Sequence, residues 1–165
     1  MQGKYKYYIF LLLMILSCAG FSQGSSWRSF LMKADKAAQA GKYNLAAKNY
    51  ELAALEKKSK KELFFEAGRY YLISRDYEKA VACLNPLKDK TKVFPKVLYY
   101  YGLAEKGRGN YEEALQALSV FSSDYKGADR SIIIGFVENE MRGCELGRKT
   151  ISENLQDSMV VKRMD

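Results

Sequence analysis

Histidine, the side chain that does most proton transfer near neutral pH and ligates most transition metals, is absent from this 165-residue sequence. Few other groups are placed for chemistry. Three cysteines occur, Cys18, Cys83 and Cys144, and no two of them have the spacing of a zinc site. Gly107-Arg108-Gly109 lacks the strand and helix context that a phosphate-binding loop needs. The carboxylate pairs Glu112-Glu113 and Glu138/Glu140 are accounted for as solvated helix faces. These residues predict a non-catalytic chain that uses no cofactor and holds no metal.

Helices must position whatever else the chain does. Shifted by 34 residues against itself, the sequence aligns Tyr43 with Tyr77 and Tyr111, and Ala46 with Ala80 and Ala114. Ala34, Gly68 and Gly102 form another column, as do Phe30, Phe64 and Leu98, and Tyr50, Leu84 and Leu118. No gap is needed from 27 to 128. Small residues at Ala34, Gly68 and Gly102, facing Ala46, Ala80 and Ala114, let two helices approach closely, and Gly41 and Gly109 supply a left-handed helix end. Tyr43, Tyr77 and Tyr111 begin the second helices, where their rings are expected to cover the turn. Arg75 replaces the expected turn glycine, so that turn must strain or take another geometry. Pro86 predicts a second helix that is bent or short in the middle hairpin. Glu105 stands in register with Ala37 and Tyr71.

On those columns, and on Gly41-Lys42-Tyr43-Asn44-Leu45-Ala46, Asp76-Tyr77-Glu78-Lys79-Ala80 and Gly109-Asn110-Tyr111-Glu112-Glu113-Ala114, the sequence resembles tetratricopeptide (TPR) repeats. The fold expected is an all-α helical-hairpin solenoid with repeats at 27–60, 61–94 and 95–128, since one hairpin cannot bury its apolar stripe alone. A capping helix over 129–147 follows, opened by Asp129 and carrying Ile132, Ile133, Ile134, Phe136, Val137 and Met141. Gly147 reads as its stop, and 148–165 reads as an extended tail. One hairpin would then separate Cys83 from Cys144, on the order of 15 to 20 Å at ordinary helix spacing, beyond the ~7 Å a disulfide tolerates. Two free, buried thiols are expected.

What the resemblance implies for function is a concave groove, lined by the first helix of each repeat, that binds a peptide segment or short helix. Its projected residues are Arg28 and Met32 in the first repeat, Phe65 and Arg69 in the second, and Lys96, Tyr99, Tyr100 and Lys106 in the third. Aromatics beside Arg or Lys are what protein-binding hot spots favour. Apolar periodicity equally allows Phe65 and Tyr99 to complete the core between repeats. Leu31 and Asp35 stand where a carboxylate clamp would need Lys and Asn, so that ligand class is not expected.

Residues 1–22 differ from the rest. Lys4 and Lys6 precede an apolar run from Tyr7 to Leu16, with small residues at Gly20 and Ser22, which reads as a signal peptide cleaved before Gln23. Ile15-Leu16-Ser17-Cys18 offers a competing route, lipidation of Cys18. Loss of Lys4 and Lys6 would leave 25 basic against 19 acidic residues, a charge of +6. The basic residues read as scattered among acids along helices, with the densest group, Lys57, Lys58, Lys60 and Lys61, in a solvated connection, so no nucleic acid is expected. The layout is similar to the N-terminal TPR region of Bacteroidota envelope proteins that continue into a β-propeller and an OmpA-like domain, some of them of type IX secretion machinery. That similarity implies a scaffold in the periplasm or at the periplasmic face of the outer membrane, docking another envelope protein. A self-assembling spacer, a fragment of a larger peptidoglycan-associated protein, and surface binding to an anionic glycan or lipid through the +6 charge are the alternatives.

Overall fold

Three turns repeat one backbone geometry and set the architecture. In the computed structural model, which describes residues 26–161 and their side chains from 27 to 154, Gly41, Arg75 and Gly109 all have left-handed φ, at 69°, 62° and 83°. In each turn the next residue donates its N–H five residues back, Lys42 to Ala37, Asp76 to Tyr71 and Asn110 to Glu105, at 2.9 to 3.0 Å. In each, the left-handed residue itself bonds three back, to Ala38, Leu72 and Lys106. This is the paired bonding of a Schellman helix end, which satisfies carbonyls the helix leaves over. Glycine adopts it freely, whereas Arg75 accepts roughly 1–2 kcal/mol of strain to keep the same geometry.

The described residues form seven α-helices and no strand. They are α1 (Ser26–Gln39), α2 (Tyr43–Glu56), α3 (Lys61–Ile73), α4 (Tyr77–Leu84), α5 (Val97–Arg108), α6 (Tyr111–Asp124) and α7 (Arg130–Val161). Consecutive helices pack against each other, α1 on α2, α3 on α4, α5 on α6, and α7 on α6. Helices α3 and α5 also touch directly. The chain is therefore all-α, a row of three hairpins and a long closing helix.

Close approach within the hairpins depends on the small-residue column. A Cβ at Gly68 would sit 2.5 Å from Cγ of Leu84, and one at Gly102 would sit 2.8 Å from Cγ of Leu118. Leu84, Leu118 and Ala34 are all fully buried. In the first hairpin a larger residue, Tyr50, fills the position of those leucines, and Ala34 takes the glycine position.

Pro86 shortens α4 to 8 residues, against 14 in α2 and α6. It sits in a 3-10 turn, Asn85–Leu87, because its ring lacks an N–H and clashes with the preceding helical turn. Leu87 from that turn and Phe94 from the connection to α5 are buried with Val97, Tyr101 and Ala117, replacing the missing end of the helix.

Two expectations need correction. Helix α7 does not stop at Gly147 but runs to Val161, so 148–161 is helical and not an extended tail. A Cβ at Gly147 would collide with the Tyr111 ring, so this glycine gives room to an aromatic neighbour in mid-helix. Likewise a Cβ at Gly107 would lie 2.5 Å from the Tyr77 ring. Tyr77 packs against α5 at Gly107 and Tyr111 against α7 at Gly147. Cys83 and Cys144 are free and buried, as the spacing predicts. The expected leader at 1–22 and Cys18 lie outside the described residues, and among the described residues no helix is long and apolar enough to cross a membrane.

Candidate functional site

The projected groove residues divide into three groups. Phe65 and Arg69 of α3, Lys96 just before α5 and Tyr100 of α5 line one open groove of ≈ 380 Å³. Val93, Phe94 and Pro95 of the connection and Tyr125 between α6 and α7 complete it. Tyr99 and Lys106 instead meet the closing elements, and Arg28 and Met32 lie apart on α1, Met32 being 72% exposed.

Helical spacing explains the first group. Phe65 and Arg69 are four residues apart on α3 and share a face, while Tyr100 of the touching helix α5 brings its ring between them. Phe65 stacks on Phe94 at 5.2 Å and meets Tyr100 edge-on at 5.7 Å. Tyr100 continues to Tyr99 at 5.3 Å, Tyr99 to Phe121 at 5.5 Å, and Phe121 to Tyr125 at 4.6 Å. Six rings therefore run unbroken from the connection to the foot of α7. Such offset and edge contacts each add about 0.5–1.5 kcal/mol beyond area burial, which makes the groove floor stiff.

Cations edge this floor. The Arg69 guanidinium lies 5.4 Å from the Tyr100 ring centre and donates twice to the Glu66 carboxylate, at 3.0 and 2.8 Å. Despite the opposing effect of burial, Glu66 and Tyr100 raise the Arg69 pKa further, so the charge is permanent. Lys96 lies 5.8 Å from the Tyr125 ring centre and donates to Asp129 at 2.5 Å. Asp129 also accepts from the Tyr125 hydroxyl, and its carboxyl is held below the usual range by Lys96 first and by that hydroxyl second. Lys96 is held above its ordinary value chiefly by Asp129. Each cation thus has a carboxylate partner at the rim, and the groove offers aromatic faces between two ion pairs. This arrangement can hold an apolar or aromatic side chain and pair with charged flanks.

Tyr99 and Lys106 have structural roles. Tyr99 rests on Phe121, with its hydroxyl pKa raised by burial and then by Glu140. Lys106 donates to Glu140 of α7 at 2.6 Å. Sequence reasoning missed Val93, Phe94, Pro95 and Tyr125, which fall in connections outside every repeat column. The available signal was Pro86 with Pro95, which mark an unusually long connection, residues 88–96, that must go somewhere.

A second polar cluster lies on the opposite side of α5. Glu105 is only 3% exposed and accepts from Arg108 at 3.0 Å and from Asn110 at 2.8 Å. Burial and then the bond to Glu105 push the Tyr101 hydroxyl up to about 12. Arg108 also donates to Glu78 of α4 at 2.9 Å, so the cluster ties the second hairpin to the third. Every polar side-chain atom buried among the described residues has a partner, which leaves this cluster no open valence for a ligand. No group of three or more potential metal ligands occurs among the described residues.

The charge is unevenly spread along the chain, and the basic residues are not simply scattered among acids. Residues 26–61 carry nine Lys or Arg against only Asp35, Glu51 and Glu56, whereas residues 62–154 carry fourteen of each sign. Of the excess of +6 in the region 26–154, the first hairpin therefore carries +2, its connection to α3 +3 through Lys57, Lys58 and Lys60, and Lys61 at the start of α3 the last. The ion pairs among the described residues include none of Lys33, Lys36, Lys42 or Lys48.

No protein-family model matches this chain, and no curated protein is significantly similar to it.

Proposed function

We propose that the chain is a TPR-type solenoid acting as a non-catalytic adaptor of the cell envelope, in which the groove between α3, α5 and the 88–96 connection takes a short segment of a partner protein. The observation that carries this reading is the aromatic floor of Phe65, Phe94, Tyr100 and Tyr125, part of an unbroken run of six rings, opening between Arg69 and Lys96. Rigid aromatic surface with permanent cations at its edge is the composition of protein-binding hot spots, because it exchanges much water-exposed apolar area at small entropic cost. The 34-residue recurrence of turns at 41, 75 and 109 supports the repeat reading. The apolar run Tyr7–Leu16 supports export, to the periplasm or the periplasmic face of the outer membrane.

The test is capture of envelope proteins by the chain, followed by mass spectrometry. Arg69→Glu with Tyr100→Ala removes the cation and the central ring. Val93→Asp, at a 69% exposed rim position, places a charge in the groove without touching the core. A partner lost in both variants, with helical content and melting preserved, supports the groove. A partner retained by both variants overturns it.

A self-associating spacer is the second reading. Helix α7 exposes Ile132, Phe136 and Leu146 along one side, at 67%, 59% and 67%. A monomer at high concentration in light scattering would dismiss it.

A further inference from the structure

The exposed face of the first hairpin has a chemistry that the groove does not share. Lys33, Lys36 and Ala40 of the α1 side, with Lys42, Leu45 and Asn49 of the α2 side, surround a shallow cavity of ≈ 370 Å³. Leu45, Lys48, Leu52 and Leu55 follow at helical spacing along α2, and Leu45 and Leu55 are 48% and 50% exposed. Two leucines that a stable core would hide thus stand among lysines that form no ion pair among the described residues. The hairpin itself carries five basic against three acidic residues, and Lys57, Lys58 and Lys60 follow in the connection to α3.

We propose that this face docks on an anionic lipid surface, with Lys33, Lys36, Lys42 and Lys48 at the headgroup phosphates and Leu45 and Leu55 entering the acyl boundary. Positive charge alone selects any polyanion. Leucines set between the lysines select one with an apolar interior beneath its charge, which describes a bilayer. Lysine stems are long enough to lie along apolar surface while the ammonium reaches a phosphate. The groove, built from α3, α5 and later segments, involves none of these residues and stays open to a protein partner.

Co-sedimentation of the full chain with phosphatidylcholine vesicles, with and without phosphatidylglycerol, tests this directly. Anionic lipid should raise binding, and added salt should reduce the gain. Each lysine near the surface contributes about fivefold in partition, so Lys36→Gln/Lys42→Gln/Lys48→Gln should remove on the order of a hundredfold of the anionic gain. Lys90→Gln/Lys92→Gln/Lys126→Gln, an equal loss of charge from the balanced part of the chain, should retain most of it. Leu45→Ser with Leu55→Ser should weaken binding to anionic vesicles without lowering the melting temperature. Equal losses in the two triple variants would mean that net charge and not this face binds, which overturns the proposal. So would indifference to phosphatidylglycerol, or binding to soluble polyglutamate as tight as to anionic vesicles, which would assign the face to an acidic protein.

Discussion

The first hairpin and the last are built on the same turn geometry from opposite materials. Between α1 and α2 the buried residues are chiefly alanines, Ala34, Ala37, Ala46, Ala47, Ala53 and Ala54, and the lysines outside have no ion pairs among the described residues. Around α6 and α7 the core is Leu118, Phe121, Tyr125, Ile133 and Val137, and Lys96, Lys106 and Arg148 pair with Asp129, Glu140 and Glu112. Alanine cores bring helices close but bury little area per residue, whereas leucine and aromatic cores bury more and hold more stability. The comparison teaches where charge is structural and where it is available. At the last hairpin it fastens α5 and α6 to the closing segment and α7, and in the first it faces outward.

Truncating the two cores should break the comparison most visibly. Leu118→Ala, at a fully buried site, should cost about 3 kcal/mol in chemical denaturation. Ala46→Gly in the first hairpin should cost about 1 kcal/mol, nearly all of it helix propensity. Equal losses would show that the alanine core carries as much as the leucine core.

A smaller effect concerns the two buried thiols. Burial first, and then Glu51, push Cys83 up to about 12, while Cys144 is raised chiefly by burial. A thiol whose folded pKa lies above its unfolded value favours the folded state fully below the unfolded value near 8.5, and this contribution is lost as pH rises toward the folded value. Stability should therefore fall above pH ~8.5, by at most about 1.4 kcal/mol per pH unit for each group. Cys83→Ala should flatten this slope more than Cys144→Ala does.

Between the compared regions, Arg75 is the one non-glycine at a left-handed turn among the described residues. Arg75→Gly should relieve strain and raise stability by about 1 kcal/mol, less the flexibility it gives the unfolded chain. No gain in Tm would show that the turn's other contacts already hold Arg75 comfortably. The smallest effects separate the charges themselves. A double-mutant cycle on Lys106 and Glu140, both partly buried, should give a coupling of about 0.5–1 kcal/mol. Lys42→Gln with Lys48→Gln should change stability by less than about 0.5 kcal/mol. A larger loss there would mean that first-hairpin lysines are structural after all.

Much of the fold was legible because it follows from local chemistry that recurs. The tyrosine, alanine and small-residue columns fall where helices begin and where they touch, and Pro86 shortens its helix for reasons contained in its own ring. Half of the projected groove residues meet at one opening, since Phe65 and Arg69 obey helical spacing and the register places Tyr100 opposite them. Tyr99 and Lys106 share that register, yet Tyr99 rests on Phe121 of α6 and Lys106 pairs with Glu140 of α7, and no periodicity shows which neighbour a helix face will meet.

By itself, then, the sequence determined the helices, their turns and the pairing within hairpins, because each rests on residues a few positions apart or on one repeated interval. Only the tertiary structure decided that Phe94 and Tyr125 finish the groove, that Gly147 seats the Tyr111 ring in a helix that continues, and that Glu105 is satisfied while buried. Those outcomes depend on contacts between segments far apart in the chain. Their energies come from shape and charge partners that a linear pattern does not specify.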